Sequence, residues 1–223
     1  MKFIAFLIAA ALATGWSGAR AADLVTDSQK MLYAAGVAIS QNVSSLGLTG
    51  PELEILKAGM TDGVLKRPLK VDMQVYGPKI QQFAQSRAAQ TGEKEKKASA
   101  GFLAKAAAEP GARKTASGAI VTPIKPGSGA SPKATDSVTV NYHGTLVDGT
   151  VFDSSVQRGQ PATFALSNVI KCWTEAIQEI KVGGKSRVVC PSDIAYGDQG
   201  SPPTIKPGAT LIFEVDLLEI VVR

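Results

Sequence analysis

The chain has 223 residues, 44% of them hydrophobic, and a net charge of +5 from 24 basic and 19 acidic side chains. That is room for two modest domains of ordinary globular composition. One histidine and two cysteines cannot build an ordinary structural zinc site, and so small a basic excess does not mark a nucleic-acid binder.

The first segment reads as an export signal. Lys2 supplies a positive start, Phe3 to Ala13 is apolar and uncharged, and Ala19-Arg20-Ala21 gives a small-x-small cleavage pattern. The apolar run falls short of the ~20 residues that span a bilayer, so no membrane anchor is expected. Residues 1–21 are assigned to a signal peptide and the mature chain to Ala22 onward, periplasmic, with the outer surface or secretion as alternatives. Removing Lys2 and Arg20 leaves 22 basic and 19 acidic residues, a net charge of +3.

Residues 22–75 read as a helical domain. Leu32, Gly36, Ile39 and Val43 recur on one helical stripe, and Leu53, Leu56, Met60 and Val64 on a second, with Gly47 to Gly50 between them and Pro51 at a helix start. Two short helices bury little on their own, so these stripes are expected to pack against a second copy of the chain. Residues 76–108 contain few large apolar side chains and no proline after Pro78. They predict one long polar helix serving as a spacer, with Thr91-Gly92 as a weak point. The run Glu93-Lys94-Glu95-Lys96-Lys97 mixes both signs and reads as a solvated face. Glu109-Pro110-Gly111 ends the helix, and residues 109–118 read as a linker.

From residue 119 the pattern changes to strands. Val138, Val140 and Tyr142 alternate with Thr139, Asn141 and His143, and Asp148-Gly149 signals a hairpin turn. Lys185 to Cys190 reads as a short strand with Val188 and Cys190 in phase. Leu211, Phe213, Val215 and Leu217 mark the buried face of a last long strand. Trp173, Ala176, Ile177 and Ile180 are spaced for one short amphipathic helix. Several antiparallel strands with one helix on a face make an α+β domain over residues 119–223. His143 sits in a Thr-x-Asn-x-Gly setting without a nucleophile elbow and reads as an exposed strand residue. Taken alone, Tyr142, Phe152, Phe164, Trp173, Tyr196 and Phe213 read as core aromatics.

A more specific pattern overrides that default. Val-Asn-Tyr-His-Gly-Thr-Leu (140–146), Asp-Gly-Thr-Val-Phe-Asp-Ser-Ser (148–155), Val-Ile-Lys-Cys-Trp-Thr-Glu-Ala (169–176), Ala-Tyr-Gly (195–197) and Thr-Leu-Ile-Phe-Glu-Val (210–215) occur in order at matching spacing. Over residues 138–221 the chain resembles the FKBP-type peptidyl-prolyl cis/trans isomerases. The resemblance implies an antiparallel half-barrel sheet wrapped over the short helix, with the active site between them and no cofactor or metal. It makes Tyr142, Phe152, Asp153, Arg158, Val169, Ile170, Trp173, Tyr196, Ile205 and Phe213 the pocket, with Trp173 as its floor. Asp153, Tyr196 and Phe152 are the catalytic candidates and the others bind substrate; Asp153 pairs with Arg158 or polarises Tyr142. The implied partners are proline-containing, unfolded or partly folded exported proteins, and macrolide inhibitors. The readings kept beside isomerase catalysis are a holdase-type chaperone and a binding module in which turnover matters little.

The N-terminal layout of signal, short helices and long helix resembles the macrophage infectivity potentiator subgroup of Gram-negative bacteria, in which two chains intertwine near their N-termini. This chain departs from the wider family at several positions. Cys172 stands where the family commonly has glycine, Ala162 and Thr204 where many members carry a larger apolar residue, and Ser201 where histidine is frequent. These changes widen and roughen the rim of the pocket, so they bear on macrolide affinity and sequence preference more than on activity. Cys190 likewise replaces an aliphatic strand residue. With both cysteines facing the space between helix and sheet in an oxidising compartment, a Cys172–Cys190 disulfide is expected.

Overall fold

The architecture comes from a computed structural model that describes residues 24–221; the expected signal peptide lies outside the described residues. The chain divides between Ala38 and Ile39 into two compact units. Helix α1 (Asp27–Ser40) passes into a 3₁₀ turn (Gln41–Leu46), and Gly47 then closes that turn with a positive φ of 56°. Helix α2 (Gly50–Val64) starts at Thr49, whose N–H donates to the Glu52 carboxylate at 2.8 Å, with proline in its first turn. Helix α3 (Met73–Tyr76) is a single turn capped by Asp72, which accepts from the Gln74 N–H. None of these three helices contains a buried residue.

Helix α4 (Lys79–Ala107) runs unbroken through Thr91-Gly92 for 29 residues, about 44 Å at 1.5 Å per residue. Its buried positions are Gly92, Ser99 and Ala106. Spaced seven apart, they share one face, and their small side chains allow close approach. At its C-terminal end, Ala106, Phe102 and Leu103 pack with Ile120, Val189, Ile212 and Ala112 in a small second core. Arg187 anchors the same end, with Nη1 2.7 Å from Glu109 Oε1. The helix expected as a spacer thus packs into the folded unit that follows through its C-terminal turns.

That unit is a seven-stranded antiparallel sheet. Its strands are β1 (Arg113–Lys114), β2 (Ile120–Lys125), β3 (Ser137–Leu146), β4 (Val151–Ser154), β5 (Ala162–Ala165), β6 (Lys185–Cys190) and β7 (Leu211–Val221), in the order β1-β2-β6-β7-β3-β4, with β5 also paired to β3. Strand β1 falls inside the stretch read from sequence as a linker and pairs with β2 through Arg113–Val121 and Lys114–Ile120. Strand β3 alternates without a break, burying Val138, Val140, Tyr142, Gly144 and Leu146. Strand β7 buries Leu211, Phe213, Val215 and Leu217 in phase with it. A one-turn helix α5 (Ser155–Arg158) follows β4, and helix α6 (Lys171–Gln178) lays Cys172, Trp173, Ala176 and Ile177 onto the concave face. The α+β half-barrel over one short helix is as the sequence leads one to expect.

Candidate active site

The pocket opens between α6 and the sheet and has a volume of about 710 Å³. Trp173, 5% exposed, forms its floor and touches three rings edge-on: Tyr142 at 5.2 Å, Phe164 at 5.5 Å and Phe213 at 5.2 Å between centroids. Phe152 packs on Phe213 at 5.4 Å. Local sequence explains this crowding. Tyr142 and Phe213 occupy inward phases of neighbouring strands, and Gly144 lies opposite Phe213 in the ladder. A Cβ at Gly144 would come within 2.7 Å of the Phe152 ring, so glycine there makes room for that side chain.

One polar cluster borders these rings. The Tyr142 hydroxyl donates to Asp153 Oδ2 and accepts from Arg158 Nη2 at 2.8 Å, while Arg158 Nη1 donates to Asp153 Oδ1. Gly159 ends α5 with a positive φ of 76°, immediately after Arg158. Both sequence alternatives for Asp153 thus hold together, since it pairs with Arg158 and also accepts from Tyr142. Burial opposes its ionisation, but the hydrogen bonds from Tyr142 and Arg158 outweigh that and hold its carboxyl below the ordinary range. Burial, reinforced by the bond to Asp153, pushes the Tyr142 hydroxyl up.

Of the ten residues expected in the pocket, nine line it: Tyr142, Phe152, Asp153, Val169, Ile170, Trp173, Tyr196, Ile205 and Phe213. Arg158 does not line it and is bonded instead to Tyr142 and Asp153. Tyr196 is 42% exposed, and no side chain among the described residues takes its hydroxyl. The walls also include Phe164, Asn168 and the turn Ser201-Pro202-Pro203-Thr204. Phe164 was readable only as a core aromatic, because β5 is too short to show a face. Nothing in the local pattern marks Asn168 or the two prolines. His143 is half-buried, with Nδ1 3.0 Å from Ser154 Oγ, and stands outside the pocket. Among the described residues no group of histidine, cysteine and carboxylate side chains could hold a metal ion. Cys172 and Cys190 form a disulfide, with Cα atoms 5.7 Å apart, which joins the start of α6 to the end of β6.

An antiparallel half-barrel laid over helix α6, with an aromatic pocket between them, is the FKBP-like fold class. Comparison with known proteins makes the assignment particular. Residues 129–218 match the family model described as FKBP-type peptidyl-prolyl cis-trans isomerase, and residues 28–120 match the domain amino-terminal to it. The chain belongs to the FKBP-type peptidyl-prolyl cis-trans isomerases. It is 34% identical to the outer membrane protein MIP of Legionella longbeachae over 99% of this chain and 97% of that one. With the isomerase FkpA of Aeromonas hydrophila it shares 40% identity over 84% of this chain and 74% of the relative. The crystal structure of FkpA from Escherichia coli superposes with a TM-score of 0.64 at 33% identity, covering 89% of this chain and 98% of that one.

Proposed function

We propose that the chain speeds cis/trans isomerisation of X–Pro bonds in proteins folding after export, by drawing the bond out of water and favouring its twisted form. The carrying observation is the pocket itself, whose floor is ringed by aromatic side chains and whose Tyr142–Asp153 pair is already bonded to Arg158. Rotation about an X–Pro bond meets a barrier of ~18–20 kcal/mol because twisting destroys amide resonance. Water stabilises the charge-separated planar amide, so an apolar pocket favours the twisted state in which that separation is lost. This is differential binding of the transition state. Lowering the barrier by about 7 kcal/mol gives roughly 10⁵-fold acceleration. The proline ring rests on Trp173, the Tyr196 hydroxyl and the Ile170 N–H hold carbonyls, and Phe152 and Asp153 border the twisting bond.

The N-terminal helices serve as the dimer contact. Supporting this, Met31, Leu32, Ile55 and Val64 are each at least 66% exposed within one chain. Export through residues 1–21 places the enzyme in the periplasm or beyond; among the described residues no helix is long and apolar enough to cross a membrane. Macrolides compete for the same pocket, their affinity set at the rim by Ser201 and Thr204.

Asp153→Ala and Tyr196→Phe test the assigned roles. Each is expected to lower kcat/KM on a short X–Pro peptide about tenfold with the fold intact, less than a lost oxyanion donor costs because desolvation shares the work. Wild-type rates in both variants would overturn these roles.

A further inference from the structure

Helix α4 grips the isomerase unit a second time, upstream of its apolar contact. Gly92 and Lys96 lie one turn apart on one face of the helix. They meet the segment from Ser192 to Gly208, which supplies Tyr196 and Ile205 to the pocket. Lys96 Nζ lies 2.9 Å from Asp193 Oδ1 and 2.8 Å from Asp198 Oδ1, so the two carboxylates bracket Tyr196 in sequence and share one ammonium. The backbones also meet. A Cβ on Gly208, whose φ is +74°, would stand 2.3 Å from the Gly92 carbonyl oxygen, and one on Gly92 would stand 3.2 Å from Asp198 Oδ1. The Gly208 N–H donates to the Gly197 carbonyl at 2.9 Å, and the Gly200 N–H to the Tyr196 carbonyl at 3.1 Å, carrying the contact to the backbone of Tyr196 and its neighbour.

We propose that Lys96 is a positioning residue of the isomerase, fixing the Tyr196 segment to α4 and so setting where the Tyr196 hydroxyl meets the substrate. The inference rests on the isomerase reading above. Tyr196 is well exposed and its hydroxyl has no side-chain partner among the described residues, so its place is set by its backbone. That backbone is held from the α4 side by one cation between two anions. Hydrogen bonds to Asp198 and then Asp193 raise the Lys96 pKa well above the ordinary lysine value, so the cation persists wherever the enzyme works.

The test uses the full chain as wild type, Lys96→Met, Lys96→Arg and, as control, Lys97→Met at an exposed neighbouring position. Each is assayed on a short X–Pro peptide at low and high salt, with amide exchange of residues 192–208 followed in parallel. Lys96→Met is expected to lower kcat/KM about 2- to 5-fold, the range of exposed ion pairs. Lys96→Arg should restore most of that loss, and Lys97→Met should match wild type. High salt should bring wild type down toward Lys96→Met and leave that variant level. The Gly197 and Gly208 amides should exchange faster in Lys96→Met. Faster exchange with unchanged kcat/KM would reduce the bridge to a structural clip and overturn the proposal, as would unchanged rates and exchange together. Should Lys96→Met fold poorly, Asp193→Asn with Asp198→Asn removes the same bridge and is read the same way. A wild type inactive on the peptide would instead overturn the isomerase reading, a result distinct from an active wild type that Lys96→Met equals.

Discussion

Helices α1 to α3 and the C-terminal sheet treat their apolar residues in opposite ways. In the sheet unit Val138, Leu166, Ile177 and Leu217 are fully buried within one chain, whereas Leu32 and Ile55 of the N-terminal helices are 71% and 74% exposed. Burying such a side chain is worth ~1.5–3 kcal/mol. The sheet, with the end of α4, collects that stabilisation within one chain; the short helices leave it largely uncollected there. The difference separates a unit with its own core from helices without one. Helix α4 belongs to both, with exposed Ile80 and Phe83 near its start and a buried face toward its end.

The largest expected effect comes from cutting α4 in the wrong place. A fragment beginning at residue 115 lacks Phe102, Leu103, Ala106 and strand β1, and so uncovers Ile120, Val189 and Ile212. By urea unfolding it should be at least ~3 kcal/mol less stable than a fragment beginning at residue 79, from the partial burial of Phe102 and Leu103 and the loss of cover over Ile120, Val189 and Ile212. Equal stabilities would remove α4 from the core of the sheet unit. Reducing the Cys172–Cys190 disulfide comes next. The bridge spans a sequence separation of 18, and the chain-entropy model gives roughly 3 kcal/mol for a loop of that order. Thermal unfolding with and without reductant checks it, and an unchanged midpoint would leave the bridge without a stabilising role.

The smallest expected effect is of pH. Asp153 has a folded pKa below its unfolded value, so its share of stability is complete above about pH 4 and is lost as pH falls through the lower, folded value. The Tyr142 hydroxyl is pushed above its ordinary value. Neither group therefore changes charge between about pH 5 and pH 9, and kcat/KM should stay level across that window. A bell-shaped profile inside it would point to a proton transfer that the isomerisation chemistry does not require.

What the sequence conveyed depended on how far apart the contacting residues lie. The alternation of β3 and β7 and the Trp173–Ala176–Ile177 stripe are local, and each shows its buried face unaided. The family resemblance then implied a shared pocket for Phe152, Tyr196 and Ile205, and the joint departure of Cys172 and Cys190 from that family pointed to their bond. The docking of α4 was illegible for the opposite reason. Its buried positions are Gly92, Ser99 and Ala106, too small to register as a hydrophobic stripe. A glycine read as a weak point in a helix is where two backbones meet, and a lysine in a run of mixed charge is clamped between two carboxylates. Val189 was likewise ambiguous, since its cover is supplied by a helix some eighty residues earlier. Strand β1, two residues long and charged, carries no alternation at all.

The proposed division of labour puts prolyl isomerisation in the sheet pocket and association in the N-terminal helices. The most direct measurement compares the whole chain with residues 79–223 in oligomeric state by light scattering, in kcat/KM on a short X–Pro peptide and in a proline-limited refolding assay. The expected result is a dimer and a monomer with peptide rates within about twofold of each other, since the pocket is intact in both. The fragment should lose most refolding activity because it lacks helices α1 to α3, the proposed dimer contact. A monomeric whole chain, or a fragment that is stably folded yet inactive on the peptide, would contradict the account.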